Sequence, residues 1–424
     1  ALALLIVGAG ALVSSSDDGG EEATDTTVDL SGPEITAPPS EEPIMPTMPS
    51  IPGFDPGGGI DPSARARPLA DVLPELIAFV EETRGHEFVT DPVVEAVSDA
   101  EFEEIITADL AEEADDRATA SVTLTALGHL SPGFDLEAAT GELGASFAFG
   151  VYDPETGELY VKGDQITPFV QTVVVHELVH ALDDQLFDLG QIDALAERPD
   201  ETAFGFQSLA EGTASYVDEA FKEQLDPEDA AAYAAEELMR GFDQLPGAFV
   251  VPPIVLIGSR VPYGSGQRLV EDLVATGGMA EVDAAYDDPP ITSEQVLEPD
   301  RFLAGEGAVA LRPLEAPSGA EVAVEGAFGA VDLRLLDLLS DPASVLAEPV
   351  VGLLRPVPGY GGGRYVSWTE AGRSCISIEA VGDDASGSAT IQELLEAWAE
   401  FTEAEVGSRV GGSGVDVITA TRCG

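Results

Sequence analysis

The sequence predicts an α+β fold that is mainly helical, with a small β-sheet beside one central helix and a C-terminal α/β extension. Long segments with apolar residues at helical spacing dominate the first half of the chain, and this pattern favours amphipathic helices. Residues 173–182 combine uncharged flanks with an absence of Pro and Gly, which is typical of a buried helix. Strand-like runs are short, and several of them lie near the C-terminus, where they predict the extension.

The elements follow one another in a consistent order. Amphipathic helices are predicted at 68–83, 99–117 and 118–130, with a short strand starting at Gly85 between the first two. Strands at 145–153 and 158–164 flank a Pro-Glu-Thr-Gly turn and form a hairpin. Two helices follow, around residues 173–182 and 204–221, and then helices at 227–242 and 267–276 and a turn-rich loop at 287–299. The C-terminal part comprises strands at 321–327, 359–368, 374–381 and 415–421 and helices at 330–340 and 390–401.

The buried helix carries the sequence His-Glu-Leu-Val-His from His176 to His180. Residues four apart share one face of a helix, so both imidazoles can reach one Zn²⁺. Glu177 lies beside them, where it can take a proton from a metal-bound water whose pKa zinc lowers to about 7. The alternative is a core helix whose histidines are satisfied by backbone groups, but burying these side chains without a metal leaves several polar groups to satisfy.

A third ligand is predicted at Glu211, which lies 31 residues after His180 on a second segment with helical patterning. A helix–loop–helix would bring Glu211 back against the histidines, and the small residues Gly212 and Ala214 permit close packing of the two helices. An ordinary surface role for Glu211 remains the alternative. Other carboxylates that remain candidates for the third ligand are Asp183, Asp184, Glu201 and Asp218.

The two segments together resemble the gluzincin class of metallopeptidases, which carry His-Glu-x-x-His on one helix and a Glu ligand on the next. More closely, the chain resembles a group of bacterial exported, membrane-anchored metallopeptidases. The matching residues are Tyr-Asp-Pro-Glu-Thr-Gly-Glu-Leu-Tyr-Val at 152–161, the run from His176 to Leu189, and Glu-Gly-Thr-Ala at 211–214. The resemblance is good from about 134 to 216 and patchier afterwards. It implies a zincin-like domain, zinc as cofactor, and hydrolysis of a protein or peptide substrate.

The chain departs from these relatives at three places. Ser215 stands where thermolysin-like gluzincins carry an Asp that orients a zinc-bound His, so that support is expected from Asp183 or Asp184. Glu298 stands where similar proteins carry a His, and a Gly-rich segment at 359–364 also differs from theirs. These departures motivate an alternative function, a non-catalytic zinc-binding surface domain that binds a partner.

Peptide hydrolysis also needs a donor for the oxyanion, and Tyr216, Tyr360 and Arg364 are the candidates. The alternative for Arg364 is pairing with a structural carboxylate. In zincins a strand edge beside the active helix pairs with the substrate. The hairpin with Tyr160 and Val161 is therefore the predicted substrate edge, with covering of the core as its alternative role. Further candidates for the site are Glu294 and Gln295 in the loop at 287–299.

Charge and cysteine content indicate the compartment. The chain has 79 acidic and 18 basic residues, for a formal net charge of −61, so its surface repels nucleic-acid phosphates and no nucleic-acid partner is expected. The apolar residues 1–13 predict a truncated signal segment or membrane anchor. With export, the only two cysteines, Cys375 and Cys423, predict one disulfide. We therefore expect an extracellular or cell-surface protein, with an N-terminal transmembrane anchor if the segment is retained.

The predicted domain organisation follows from these parts. Residues 14–62 are Ser-, acid- and Pro-rich and predict a disordered linker. Residues 63–250 form the zincin-like catalytic core in this prediction. Residues 251–424 form a C-terminal subdomain packed on that core.

Overall fold

The computed structural model describes residues 59–112, 114–248, 251–258, 260–340, 355–412 and 414–424. The predicted signal or anchor segment at 1–13, and most of the linker predicted at 14–62, lie outside the described residues. Within these ranges, every helix is too short or too polar to cross a membrane.

The fold is α+β and mainly helical, as predicted, with small sheets. Its helices are α1 (Leu69–Arg84), α2 (Asp99–Glu112), α3 (Ala114–Leu127), α4 (Leu136–Phe147), α5 (Pro168–Phe187), α6 (Ile192–Ala196), α7 (Thr202–Gln224), α8 (Pro227–Ala248), α9 (Pro253–Gly258), α10 (Val261–Gly277), α11 (Met279–Asp287), α12 (Ser293–Leu297), α13 (Pro299–Leu303), α14 (Ala330–Leu335), α15 (Asp337–Ser340) and α16 (Ala385–Thr402). Its strands are β1 (Arg67–Pro68), β2 (Val93–Val97), β3 (Gly150–Asp153), β4 (Glu158–Lys162), β5 (Gln165–Ile166), β6 (Glu321–Ala327), β7 (Tyr360–Glu370), β8 (Arg373–Gly382), β9 (Glu405–Val410) and β10 (Asp416–Cys423).

Helix α5 is the central element of the first half. Thr167 caps its N-terminus by accepting a hydrogen bond from the N–H of Val170, and Pro168 occupies the first turn, where its missing N–H costs nothing. The helix ends at Phe187, and the next residue, Asp188, adopts a left-handed conformation with φ 56°. Nearly every side chain from Pro168 to Asp183 is buried, as expected for a helix that is apolar around most of its surface.

A three-stranded sheet packs against α5, in the order β2-β4-β3. The predicted hairpin is present, because β3 is antiparallel to β4 with Val151 opposite Tyr160. Strand β2 joins β4 in parallel, and β1 and β5 form a separate two-stranded ribbon. Buried side chains of β4, Leu159 and Val161, share one apolar cluster with α1 and α5.

The C-terminal sheet has five antiparallel strands in the order β6-β7-β8-β10-β9. Helices α3 and α16 pack on it, and the indole of Trp398 in α16 donates a 2.8 Å hydrogen bond to the carbonyl of Leu127. The predicted disulfide is present, since Cys375 and Cys423 lie opposite one another on β8 and β10.

The largest apolar cluster draws residues from both sides of the predicted boundary near residue 250. Leu124 and Leu209 from the first part lie in the same cluster as Leu269, Ile376 and Trp398 from the second. Residues 249 and 250 themselves lie outside the described part. The two predicted parts therefore share one core.

Several predicted elements differ from the structure. The strand predicted at Gly85 is absent, and pairing begins instead at Val93, where a partner strand is available. Residues 145–147 end helix α4, although a strand was predicted to start there. The residues Tyr-Gly-Ser-Gly at 263–266 lie within α10, because close helix packing outweighs the low helix propensity of the two glycines.

Candidate metal centre

Helices α5 and α7 bring His176, His180 and Glu211 together. The carboxylate Oε2 of Glu211 lies 3.3 Å from Nε2 of His176 and 3.6 Å from Nε2 of His180. One ligand atom from each residue lies within 4.8 Å of the others. Glu211 and His180 are fully buried and His176 is 8% exposed, so this cluster lies in the interior, and His176 lines a cleft beside it.

The polar atoms of this cluster are not satisfied by the protein. Three buried atoms have no hydrogen-bond partner among the described residues. They are Nδ1 and Nε2 of His180 and Oε1 of Glu211. Leaving buried polar atoms unpaired costs about 1–3 kcal/mol each. Two imidazoles and one carboxylate form the donor set of a catalytic zinc site that keeps one position open. The residues present therefore fit a zinc ion.

The pKa values of Glu211 and His176 also fit a site for a cation. Burial alone would raise the pKa of Glu211, but its contacts with His176 and His180 outweigh burial and lower that pKa to about 2. Burial likewise disfavours the charged form of His176, yet hydrogen bonds to Asp218 and Glu211 raise its pKa to about 10. Without metal, then, a proton on His176 balances the buried carboxylate, and a divalent cation would replace that proton.

Asp218 contacts the ring nitrogen of His176 that faces away from Glu211. Its Oδ2 lies 3.1 Å from Nδ1 of His176, and its Oδ1 lies 3.0 Å from Nζ of Lys222. A carboxylate on the second ring nitrogen orients a metal-binding His and fixes its tautomer. Asp218 lies seven residues after Glu211, two helical turns further along the same face of α7, and this spacing was the sequence signal for it.

The prediction that Asp183 or Asp184 gives this support was wrong. Asp183 is buried against Arg84 at 2.7 Å and accepts the phenol hydrogen bond of Tyr286 at 2.8 Å. Asp184 accepts hydrogen bonds from the hydroxyl of Tyr152 and from the N–H of Leu189. Both carboxylates point away from the cluster because they hold α5 to its neighbours. Another candidate ligand, Glu201, instead accepts a 3.0 Å hydrogen bond from the N–H of Ser293.

Glu177 lies on the cleft side of the same helix. It is 5% exposed, and its Oε2 accepts a 3.0 Å hydrogen bond from the N–H of Tyr152 in β3. Burial raises the pKa of Glu177, which makes the carboxylate a better proton acceptor. Strand β3 approaches so closely that a Cβ on Gly150 would lie 3.2 Å from Cγ of Glu177 and 3.1 Å from Cγ1 of Val173.

The predicted substrate edge at Tyr160 and Val161 needs correction. Both residues lie on β4, which is the central strand, so its main chain is paired on both sides. The edge strands of this sheet are β2 and β3, and β3 is the one that contacts Glu177. Because the N–H of Tyr152 points away from β4 towards Glu177, the peptide groups of Gly150, two residues earlier, face the same open side. The hydroxyl of Tyr160 donates to Glu158, and the side chain of Val161 is fully buried.

A cleft of about 320 Å³ opens beside the cluster. Its lining includes one candidate ligand, His176, together with Glu177 and Asp218. It also includes Phe149, Phe169 and Tyr233, here called the aromatic wall. The rings of Phe169 and Tyr233 lie 5.6 Å apart, and those of Phe149 and Phe169 lie 6.0 Å apart. The cleft thus places an apolar surface next to a polar, metal-binding interior.

The three residues predicted as oxyanion donors lie elsewhere. Tyr216 packs against both large apolar clusters, and buried Tyr360 donates its hydroxyl hydrogen bond to the carbonyl of Phe328. Arg364 donates to the carbonyl of Pro199. None of the three is among the described residues that line the cleft. In the sequence, Tyr216 lies near the predicted ligand Glu211, and Tyr360 and Arg364 lie in a Gly-rich segment. In the structure, Tyr216 packs in the apolar core, and Tyr360 and Arg364 bind backbone carbonyls.

The loop at 287–299 also lies outside the cleft lining. Glu294 is buried 3.4 Å from Arg301, and Gln295 completes a capping box with Thr292 at the start of α12. Glu298 lies 3.5 Å from Arg301. These residues lie at the turn between α12 and α13, and none of them is among the described residues that line the cleft.

Tyr263 was not predicted as a site residue. Its ring stacks on the imidazole of His176, with centroids 5.7 Å apart and planes 21° apart. Burial and the nearby carboxylates raise the pKa of Tyr263 well above its usual value. Tyr263 precedes the helix predicted at 267–276, so the sequence pattern did not place its side chain on a helix facing the site.

Comparisons with models of protein families, with curated proteins and with solved structures found no match. The possible chemistry of the site is therefore inferred from its own residues. These comprise two imidazoles and a carboxylate that fit zinc, a second carboxylate beside them, and an open strand edge along the cleft.

Proposed function

We propose that the protein is a zinc metallopeptidase of gluzincin type, exported to the extracellular space or the cell surface. The observation that carries this proposal is the buried cluster of His176, His180 and Glu211, whose unpaired polar atoms fit one zinc ion, with Glu177 beside it. The disulfide supports the location, because such bonds persist in oxidising compartments.

Each residue of the site then has a role in peptide hydrolysis. His176, His180 and Glu211 would hold a zinc ion, which would supply a Lewis acid to polarise the substrate carbonyl and to acidify water. Glu177 accepts the proton of the attacking water and passes it to the leaving amine. The N–H of Tyr152 holds the Glu177 carboxylate in place while it is ionised. Asp218 keeps His176 in the orientation that zinc requires.

The open edge of β3 provides a way to hold an extended peptide. The peptide groups of Gly150 face the cleft, so a substrate strand can pair with them next to Glu177. A side chain at Gly150 would crowd Val173 and Glu177, because its Cβ would lie 3.1–3.2 Å from their side chains. The aromatic wall of the cleft offers an apolar surface to a substrate side chain.

The Glu177→Gln variant tests this proposal. It should bind one zinc ion like the wild type and lose at least 10²-fold in kcat on peptides, because general-base catalysis contributes 10²–10⁴-fold. Glu223→Gln, an exposed position on α7, is the matched control and should keep wild-type turnover. Cleavage of a peptide library, followed by mass spectrometry, measures activity on many sequences at once. Near-wild-type turnover of the Gln variant would refute the base assignment.

The same experiment separates catalysis from zinc binding alone. A wild-type protein that binds one zinc ion but leaves every library peptide intact would contradict the enzymatic proposal. That result would support the non-catalytic zinc-binding surface domain, for which the Ser215 and Glu298 departures were the sequence grounds. Asp218 now takes the orienting role that Ser215 lacks, and Glu298 lies outside the cleft lining, so neither departure removes a group that the proposed reaction needs.

A further inference from the structure

Each ring of the aromatic wall lies beside a cation. The guanidinium carbon of Arg240 is 3.7 Å from the ring centroid of Phe149 and 5.0 Å from that of Phe169. The ammonium of Lys162 is 5.8 Å from the centroid of Phe149. The third ring of the wall lies 5.8 Å from the ammonium of Lys222. These distances fall within the range of cation–π attraction, which extends to about 6 Å.

Lysines are rare in this chain, and their positions are therefore informative. Of 18 basic residues only Lys162 and Lys222 are lysines, and both lie at the aromatic wall. Among the other described basic residues, only Arg240 and Arg84 lie over aromatic rings, and Arg84 contacts Phe187, which is not part of the cleft lining. Placement of both lysines at one cleft indicates a local role for positive charge there.

The cations belong to the same strands and helices that form the site. Phe149 directly precedes β3, and its carbonyl accepts a 3.0 Å hydrogen bond from the N–H of Lys162 in β4, so the two residues are cross-strand neighbours. Tyr233 and Arg240 lie seven residues apart in α8, which is two helical turns along one face. Lys222 lies in the last turn of α7, the helix that carries the carboxylate ligand. The position of the positive charge is therefore fixed relative to the cleft.

Carboxylates balance two of the three cations. Arg240 donates a 3.0 Å hydrogen bond to buried Glu236, and Lys222 pairs with two carboxylates of α7 at 3.0 Å. Lys162 makes no ion pair within the part of the chain that the structure describes, so its charge is not balanced. Because Lys162 is half-buried, water and salt screen this charge less than they would screen an exposed one. The wall therefore carries a net positive charge beside Phe149, next to the edge strand β3.

We propose that the aromatic wall accepts a neutral aromatic side chain of the peptide substrate and excludes a basic one, and that Lys162 determines this choice. The proposal rests on the proposed peptidase function and specifies its substrate class. An aromatic side chain gains ring–ring contacts with the wall. A basic group on the wall would lie about 10 Å from the Lys162 ammonium, where repulsion at an effective dielectric constant of about 20 weakens binding about tenfold. This selectivity opposes the preference for basic peptides that a net charge of −61 would otherwise give.

Two dipeptide hydroxamates test this selectivity without hydrolysis. They differ only in the side chain next to the metal-binding hydroxamate, which is Phe in one and Arg in the other. Calorimetry on the zinc-loaded wild type should show binding of the Phe compound at least about tenfold tighter. Cleavage of the peptide library should likewise enrich aromatic residues, and deplete Lys and Arg, at one position beside the cleaved bond.

Variants of Lys162 locate the source of the selectivity. Lys162→Met keeps the length of the side chain but removes its charge, so the affinity for the Arg hydroxamate should rise about tenfold while that for the Phe hydroxamate changes less than about threefold. Lys162→Arg restores the charge and should restore the selectivity of the wild type. Arg373→Met, at an exposed position of β8, changes the net charge by the same amount and should leave the selectivity unchanged.

The outcomes separate this inference from the proposed function. Tighter binding of the Arg hydroxamate by the wild type overturns the inference, and so does a Lys162→Met selectivity within threefold of wild type. An equal change in Arg373→Met also overturns it, since the effect would then come from net charge. Peptide cleavage without the expected selectivity leaves the peptidase proposal intact and removes only the inference. Selective hydroxamate binding without cleavage of any library peptide confirms the selectivity of the cleft and contradicts the peptidase proposal.

Discussion

Asp218 should control zinc affinity although it does not reach the metal position. Its carboxylate lies 3.1 Å from Nδ1 of His176, opposite the ring nitrogen that faces Glu211. Removing such a supporting carboxylate typically weakens metal binding 10- to 100-fold, or about 1.4–2.7 kcal/mol. Asp218→Asn keeps a hydrogen-bond acceptor and should fall at the lower end of this range. Asp218→Ala removes the acceptor and should fall at the upper end.

Lys222 provides a second variant with a different expected result. Its ammonium lies 3.0 Å from Asp218 and partly neutralises the negative charge of the carboxylate that contacts His176. Lys222→Met should therefore leave zinc affinity unchanged or increase it. Glu219→Gln is the matched control, because exposed Glu219 also pairs with Lys222 at 3.0 Å but makes no contact with His176 in the described structure.

Competition with a chromophoric chelator at pH 7.5 measures these affinities, and circular dichroism confirms that each variant is folded. Affinity of Asp218→Asn and Asp218→Ala within twofold of wild type would refute the reasoning. An equal loss in Glu219→Gln would also refute it, since the effect would then be a general one of surface charge.

Three further predictions concern the framework around the site. Arg84→Met should lower the free energy of unfolding by about 3–5 kcal/mol in urea titrations, because it leaves buried Asp183 without its cation, and a loss below 1 kcal/mol would contradict this. Gly266→Ala should lower the free energy of unfolding by about 1–3 kcal/mol and weaken zinc binding, because its Cβ would force α10 away from α7. In the control Gly241→Ala the new Cβ meets no atom within 4 Å, so this variant should be neutral or slightly stabilising. Equal effects of the two variants would contradict the close contact between the helices. Burial raises the pKa of Glu294 from 4.5 to about 8, so its neutral form stabilises the fold below pH 4.5 and that contribution is lost as the pH rises through 8. Glu294→Gln should therefore be more stable than wild type in thermal unfolding at pH 9, with the difference shrinking towards pH 5, and a constant difference would contradict the assignment.

The parts of the site that depend on local spacing were predictable from the sequence. His176 and His180 are one helical turn apart, and the small residues around Glu211 indicated a second helix that packs closely. Their convergence in the structure follows from these local patterns. The hairpin of β3 and β4 and the disulfide were predicted for similar reasons, from a turn sequence and from the number of cysteines.

The remaining parts depend on tertiary packing that the sequence pattern does not encode. Strand β2 pairs with β4 and makes it central, which moves the open edge from Tyr160 to β3. Tyr263 reaches the site only because two glycines let α10 touch α7, and glycines in a sequence more often indicate a loop. Asp183 and Asp184 follow the motif directly but face Arg84 and Tyr152 instead.

Zinc stoichiometry of the purified protein tests the central claim most directly. It should be measured by atomic emission beside the Glu211→Ala variant and beside Glu223→Ala, an exposed control on the same helix. We predict one zinc ion per chain in the wild type and in Glu223→Ala, and loss or strong weakening in Glu211→Ala. A wild-type protein that holds no zinc, even after reconstitution with the metal, would contradict the metal centre and with it the peptidase proposal.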